Sequence, residues 1–502
     1  MKLIVIIALC ATIQISAQDS RLSRDQKRVA SVCGTCHAVP APDLLDKASW
    51  KNVVLPRMGA FLGFYPKGTT RGSLIENGAA YEYIVAHNIY PERPTISKKD
   101  WKFIQDYYIA TAPKHVPLNK SLPPSLTRTF KAVRPAFTLR PPSTTFIEID
   151  DSSSNVALGD AMSGSVYSLS PKLELRRQDS VGESPAWITK QGGSSQYATI
   201  MGSFSPTDAP TGRVVRIPSD TSSEVTEIIP GLQRPVHHAV ADLDADGDED
   251  IVVCEFGKWT GGLSWWRRGM TGTYERMVLR DGPGATRAVI RDWNMDGLPD
   301  IVALFAQGNE SITAFLNTGN GSFEEQQIMQ FPPSWGTSYF SVVDVDADGD
   351  VDIVHCAGDN ADFGPVLRPY HGIRLFLNSG KNTFPDTIFV PLHGAYSAIP
   401  ADFDLDGDVD LAAISFFPDY SESPARGFVF FENQGDWKFT ASTFPEVESG
   451  RWIVMDAGDI DHDGDQDLAL GSLAFEVPGK NQLVDSWVKN AIPFIILENL
   501  AR

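Results

Sequence analysis

The chain has 502 residues, of which 42% are hydrophobic and 21% charged, and its formal net charge is −20. That length exceeds one ordinary core, so at least two domains, or a domain and a repeat array, are expected. The composition is globular, and the acidic excess excludes nucleic acid as a partner, since a phosphate backbone needs a basic surface.

The opening "MKLIVIIALCATIQISAQ" combines one Lys, an apolar run and small residues, which predicts a signal peptide over residues 1–17. The run from Leu3 to Ile13 is too short to span a bilayer, and no later stretch approaches ~20 apolar residues. Cys10 follows Leu9 rather than a small residue, which argues against a lipid anchor. The mature chain is expected to be exported, periplasmic or extracellular in a bacterium, with no transmembrane segment.

In "SVCGTCHAVP" the C-x-x-C-H spacing fits covalent haem attachment. The thiols of Cys33 and Cys36 would add to the vinyl groups, and His37 would be the proximal iron ligand. A zinc site would need two further ligands, and no second Cys pair follows in this region. Met58 is the sole methionine between residues 18 and 120, where His87 and His115 are the other histidines. Met58 is the expected distal ligand, with His87 as the alternative and an ordinary core methionine as the plain structural reading. The stretch resembles small class I-like cytochrome c domains of the form CxxCH…P…LL…W…LPRM, matched here by Pro42, Leu44, Leu45, Trp50 and Met58. The 21 residues from His37 to Met58 are fewer than in many such domains. The resemblance implies one covalent haem c.

This all-α domain is expected over residues 18–113. Its last helix is capped by Ser97 and carries Trp101, Ile104, Tyr108 and Ile109 at helical spacing. Residues 114–137, Pro-rich and basic, predict a linker. Of the remaining cysteines, Cys254 and Cys356 occupy equivalent repeat positions and are expected as buried free thiols.

From residue 138 to 502 an all-β domain is expected. Five segments share D-x-[DN]-x-D-G-x-x-D followed by a short strand pattern, at steps of 50, 52, 58 and 57 residues. They hold Asp242, Asp244, Asp246, Asp248 and Asp250; Asp292, Asn294, Asp296, Leu298 and Asp300; Asp344, Asp346, Asp348, Asp350 and Asp352; Asp402, Asp404, Asp406, Asp408 and Asp410; and Asp459, Asp461, Asp463, Asp465 and Asp467. Positions 1, 3, 5 and 9 offer side-chain oxygens, position 7 a backbone carbonyl, and the Gly at position 6 permits the sharp turn. An all-oxygen set suits a hard cation, so calcium, about five ions, is expected. An EF-hand would continue as a helix, whereas here a strand pattern follows.

These segments are similar to FG-GAP (VCBS-type) repeats, the calcium-bearing blades of integrin-like β-propellers. The resemblance implies a propeller with the acidic loops on its lower face and a binding surface on the upper one. Weaker copies near 146–169 and 191–204 bring the expected count to seven blades, with "PFIILENL" closing the ring. The long loops containing Arg368, Tyr420 and Trp487 are expected to form the binding surface, and His237 and His238 to be ordinary strand residues.

The function expected is electron transfer by an exported haem protein whose propeller binds a redox partner protein, a glycan or another ligand. The alternatives are a redox enzyme acting on the upper face with haem as electron acceptor, and a carbohydrate lyase or hydrolase with accessory haem. No catalytic residue is assigned.

Overall fold

The computed structural model describes residues 23–190, 195–220, 223–319, 321–359, 367–477 and 480–501. The expected signal peptide lies outside them. Among the described residues no helix is long and apolar enough to cross a membrane.

The N-terminal region is helical. Its main helices are Arg24–Cys33, Leu55–Phe61, Ala80–Ala86 and Lys98–Thr111. The Ser23 hydroxyl accepts from the N–H of Gln26, whose side chain reciprocates, a capping box that starts the first helix. The last helix begins as its sequence predicts, with Ser97 accepting from the N–H of Asp100. It buries Trp101, Ile104 and Tyr108 against Val29, Leu45, Trp50, Val54 and Leu55. One turn of π-helix, Trp50–Val54, runs directly into the helix Leu55–Phe61.

The remainder is a seven-bladed β-propeller, formed by seven separate sheets of four or five strands. The inner strands are Thr144–Asp150, Pro185–Lys190, Pro235–Ala241, Ala285–Arg291, Thr337–Val343, Ala395–Ala401 and Trp452–Gly458, for blades one to seven. Inner strands of neighbouring blades contact one another around the ring, including blade seven against blade one. The second strands of blades three to seven are buried along their whole length. They read as continuous apolar runs because each is covered on both faces by adjacent blades. Apolar clusters therefore lie between blades, for example Val354, Ile373, Leu411 and Phe431 between blades five and six.

Closure uses the final strand as expected, but its partner comes from further upstream. Phe494–Asn499 is the third strand of blade seven, and Phe130–Val133 pairs antiparallel with it, Phe130 opposite Asn499. Ser125–Leu126 adds in parallel to the outer strand of blade six. Part of the stretch expected as a linker is thus strand. Phe130 explains this, since its buried ring packs edge-on against Phe403 and Phe430. Radial closure leaves few free edges for unwanted pairing.

The helical region sits on the face opposite the Asp-rich loops. Phe61 and Tyr90 pack on Trp259, in the loop between the second and third strands of blade three. Glu76 accepts from the Thr207 hydroxyl and pairs with Lys258 at 3.7 Å. Further round the ring, Tyr370 donates to the Leu44 carbonyl at 3.2 Å, and Asn119 Nδ2 to the Pro369 carbonyl at 2.7 Å.

Candidate metal and cofactor centres

The five acidic loops join the inner to the second strand of blades three to seven, and they repeat one geometry. At position 6, Gly247, Gly297, Gly349, Gly407 and Gly464 each donate the backbone N–H to Oδ2 of the first Asp, at 2.9–3.1 Å. These glycines have φ between 88° and 99°, a left-handed conformation strained for other residues.

The ninth residue is the best-anchored member. Oδ2 of Asp250, Asp300, Asp352, Asp410 and Asp467 accepts from the N–H at position 2 of its own loop. Oδ1 accepts from the end of the blade's third strand, namely Arg268, Asn317, Asn378, Asn433 and Asn499, at 2.7–2.8 Å. This carboxylate ties loop to sheet through backbone donors, and its remaining lone pairs stay open for ligation.

Carboxylate oxygens converge in four of the loops. Those of Asp242, Asp244 and Asp246, of Asp344, Asp346 and Asp348, of Asp402, Asp404 and Asp410, and of Asp459, Asp461 and Asp467 lie within 4.8 Å of one another in each set. In the same four loops buried oxygens lack any hydrogen-bond donor: Oδ1 of Asp244, Asp344 and Asp408, and both oxygens of Asp465. Burial first, then neighbouring carboxylates, pushes Asp410 up to about 7 and Asp465 and Asp467 up to about 6. Crowded oxygens without donors are the donor set a hard divalent cation takes. The loop of Asp292, Asn294, Asp296, Leu298 and Asp300 keeps the backbone form. There the Asn294 amide donates to Asp296 Oδ2 at 2.9 Å, an internal partner for that carboxylate. Asp248 and Asp350 complete the position-7 set, and Asp248 also meets Arg268 at 3.2 Å.

At the haem-type motif, Cys33 ends the helix Arg24–Cys33 and Gly34 caps it, donating to the Ala30 carbonyl at 2.9 Å. A Cβ at Gly34 would stand 2.7 Å from that oxygen, so the motif's second residue must be small. Cys33 and Cys36 are both free thiols, and burial together with Cys36 pushes the Cys33 thiol up to about 11. His37 Nδ1 lies 2.8 Å from the Ala38 carbonyl. Donation from Nδ1 would leave the Nε2 lone pair available. The chain beyond is clamped by two aromatics, Tyr108 donating to the Pro40 carbonyl at 2.9 Å and Trp50 Nε1 to Pro42 at 2.8 Å. Cys33 and Met58 both pack on the apolar cluster built around Trp50, Trp101 and Tyr108. His87 is engaged elsewhere, its Nδ1 against the Tyr83 carbonyl and its Nε2 3.4 Å from Asp281 of blade three. His115 is exposed.

Of the three residues expected on an exposed binding surface, two are buried and Tyr420 is half-buried. Arg368 and Trp487 are 2% and 1% exposed. Trp487 belongs to the helix Asn481–Asn490, donates to the Glu448 carbonyl at 3.0 Å, and packs on Tyr420 with centroids 5.9 Å apart. These side chains pack their loops inward. His237 and His238 are buried on the inner strand of blade three, as expected, and His238 Nδ1 meets the Thr199 hydroxyl at 2.7 Å. Cys254 and Cys356 are buried and free.

FG-GAP-like repeats are matched over residues 242–303 and 292–355. Those stretches contain the first three acidic loops, so the chain is a seven-bladed propeller carrying FG-GAP-like repeats. Similar solved structures include the N-terminal domain of Nup159, at 9% identity and TM-score 0.41, covering 76% of this chain and 98% of that one. A streptogramin B lyase is similar at 11% identity and TM-score 0.43, covering 74% and 98%. Likeness at this level attaches no ligand or activity to this chain.

Proposed function

We propose that the chain is an exported electron-transfer protein, with a c-type haem in the helical region and a calcium-stabilised propeller that binds a partner or ligand. Bound haem supplies reversible one-electron chemistry at its iron. Cys33 and Cys36 would hold it covalently, His37 through Nε2 on one side and the Met58 thioether on the other. The observation that carries this reading is the packing of Cys33 and Met58 on one apolar cluster. His87, tied to Asp281, is the poorer candidate. Calcium would occupy the acidic loops, most firmly the four with converging carboxylates and donorless oxygens. Export fits both parts, since c-type haem is attached outside the cytoplasm.

One observation favours a second reading, an oxidoreductase passing electrons from a substrate on the upper face to haem. The helical region is docked on that face through Trp259, Lys258 and Tyr370. The deciding experiment is the visible spectrum of the exported protein after acid–acetone extraction. Retained haem colour that is lost in Cys33→Ala/Cys36→Ala supports the proposal, and a colourless wild-type protein from a haem-competent host overturns it.

A further inference from the structure

Buried amides link neighbouring acidic loops across the blade boundaries. In blade seven the Asn499 N–H donates to Asp467 Oδ1 at 2.7 Å, and the Asn499 side-chain amide donates to the Phe403 carbonyl of blade six at 2.8 Å. Phe403 holds position 2 of its loop, and its own N–H donates to Asp410 Oδ2 at 3.2 Å. An unbroken series of hydrogen bonds thus joins the ninth-position carboxylates of blades seven and six. Asp467, Asn499, Phe403 and Asp410 are 1%, 3%, 0% and 0% exposed. Away from water each link is stronger, and a broken one is not replaced by solvent. Asp410 and Asp467 also belong to the converging carboxylate sets of their loops.

Blades four and three repeat the arrangement. Asn317 donates from its N–H to Asp300 Oδ1 at 2.7 Å and from its side chain to the Leu243 carbonyl at 2.8 Å. The Leu243 N–H in turn donates to Asp250 Oδ2 at 3.2 Å. Blade five reaches blade four through the same turn, where Asn382 Nδ2 donates to the Trp293 carbonyl at 2.7 Å. The boundary between blades six and five differs. The Asn433 side-chain amide donates to the Val409 carbonyl of its own loop at 3.3 Å, and Asn433 Oδ1 is buried without a partner. Trp437 stands where blade five has Asn382, with φ 57° against 55°. Its ring packs on the apolar cluster that contains Val345, position 2 of the blade-five loop. Among the described residues no hydrogen bond crosses from this turn of blade six to the loop of blade five.

We infer that the cation sites of blades six and seven are coupled, occupancy of one raising the affinity of the other, whereas blade six binds independently of blade five. The inference rests on the calcium reading of the acidic loops. Fixing Asp467 around a cation fixes the Asn499 peptide at the end of the third strand. The Asn499 amide then holds the Phe403 peptide, whose N–H orients Asp410. The second site therefore binds with part of its ordering already complete. Such coupling is reciprocal by linkage.

Hydrogen–deuterium exchange of the full-length protein, read peptide by peptide against free calcium, gives each loop its own midpoint. Asp461→Ala removes a ligand of blade seven, and the midpoint of loop 402–410 should move to about fivefold higher calcium. Asp404→Ala should move loop 459–467 by the same factor. Asn499→Leu should uncouple the two, so that adding Asp461→Ala to it moves loop 402–410 no further. Asp346→Ala alters the neighbour on the other side and should leave loop 402–410 unmoved, which controls for charge acting through space. The single Asp variants decide the question even where Asn499→Leu does not fold. An unmoved blade-six midpoint in Asp461→Ala, or an equal shift in Asp346→Ala, overturns the coupling and leaves the calcium reading standing. Wild-type loops without calcium-dependent protection overturn both.

Discussion

Phe61 of the helical region stands edge-on to Trp259 of blade three, with ring centroids 5.1 Å apart and planes at 70°. Tyr90 stacks on Phe61 at 5.3 Å and meets Trp259 itself at 6.3 Å, so three rings and the Glu76–Lys258 pair join the two parts at this contact. Truncation of Trp259 to Ala removes the propeller's share of this contact, at about 1–3 kcal/mol for a half-buried aromatic. Limited proteolysis in the stretch 114–124 should accelerate, and small-angle scattering should report a larger radius of gyration, with the propeller's melting temperature nearly unchanged. Identical cleavage rates and scattering would show that the docking does not depend on this residue.

The acidic loops predict a metal-dependent melting temperature. Binding confined to the folded state stabilises by mass action, about 2.7 kcal/mol for a site at a hundredfold excess over its dissociation constant. Chelation should therefore lower the calorimetric transition by many degrees. Asp348→Ala and Asp406→Ala should each remove one site. Asp296→Ala should cost less, since Asn294 already gives that carboxylate an internal donor. Superimposable curves with and without chelator would eliminate calcium as the stabilising ligand.

The distal-ligand assignment separates Met58 from His87. In the haem-loaded protein Met58→Ala should lower the reduction potential and abolish a weak near-infrared Met–iron band, because thioether ligation favours the reduced iron. His87→Ala should leave both unchanged and loosen only the contact to Asp281. The reverse pattern would move the ligand to His87.

Blades three to seven were legible because each repeats an Asp series whose first and ninth residues are fixed by the sheet itself. Blades one and two lack the series. In blade one the turn is built from Ser152 and Ser153 hydroxyls donating to Asp150, with Lys190 of blade two paired to the same carboxylate. That solution pairs the carboxylate with hydroxyls and a lysine and leaves no Asp motif. The strand that pairs with the final one was read as linker because Phe130 lies among Pro and basic residues, and its partners Phe403 and Phe430 are remote in sequence. Loop aromatics were misplaced for a similar reason. Trp487 shares a helical face with Leu483 and Val484, a spacing that could have signalled an inward-facing helix. No local pattern announces the meeting of Phe61 with Trp259, since contacts between elements are absent from short-range periodicity.

The pair Glu148 and Asp456, facing each other between the inner strands of blades one and seven, predicts a pH dependence. Burial, with the Asp456 charge adding to it, pushes Glu148 up to about 7. Burial also pushes Asp456 up to about 6, although its Oδ2 accepts from the Ile149 N–H at 2.8 Å. Lys190 acts the other way on Glu148, without cancelling the shift. Both groups hold their protons more tightly in the folded state than in the unfolded chain, where carboxyls titrate near 4. Their contribution is therefore most favourable below about pH 4 and declines as pH rises through 4 to 7. Glu148→Gln should flatten that decline and raise stability at pH 8 by about 1–3 kcal/mol, with little effect at pH 4.5. Calcium must be kept saturating, so that the acidic loops do not contribute a slope of their own. Denaturant melts of wild type and variant across this range give the difference directly. Parallel curves from pH 4.5 to 8 would mean that Glu148 ionises freely and that the pair does not govern the profile.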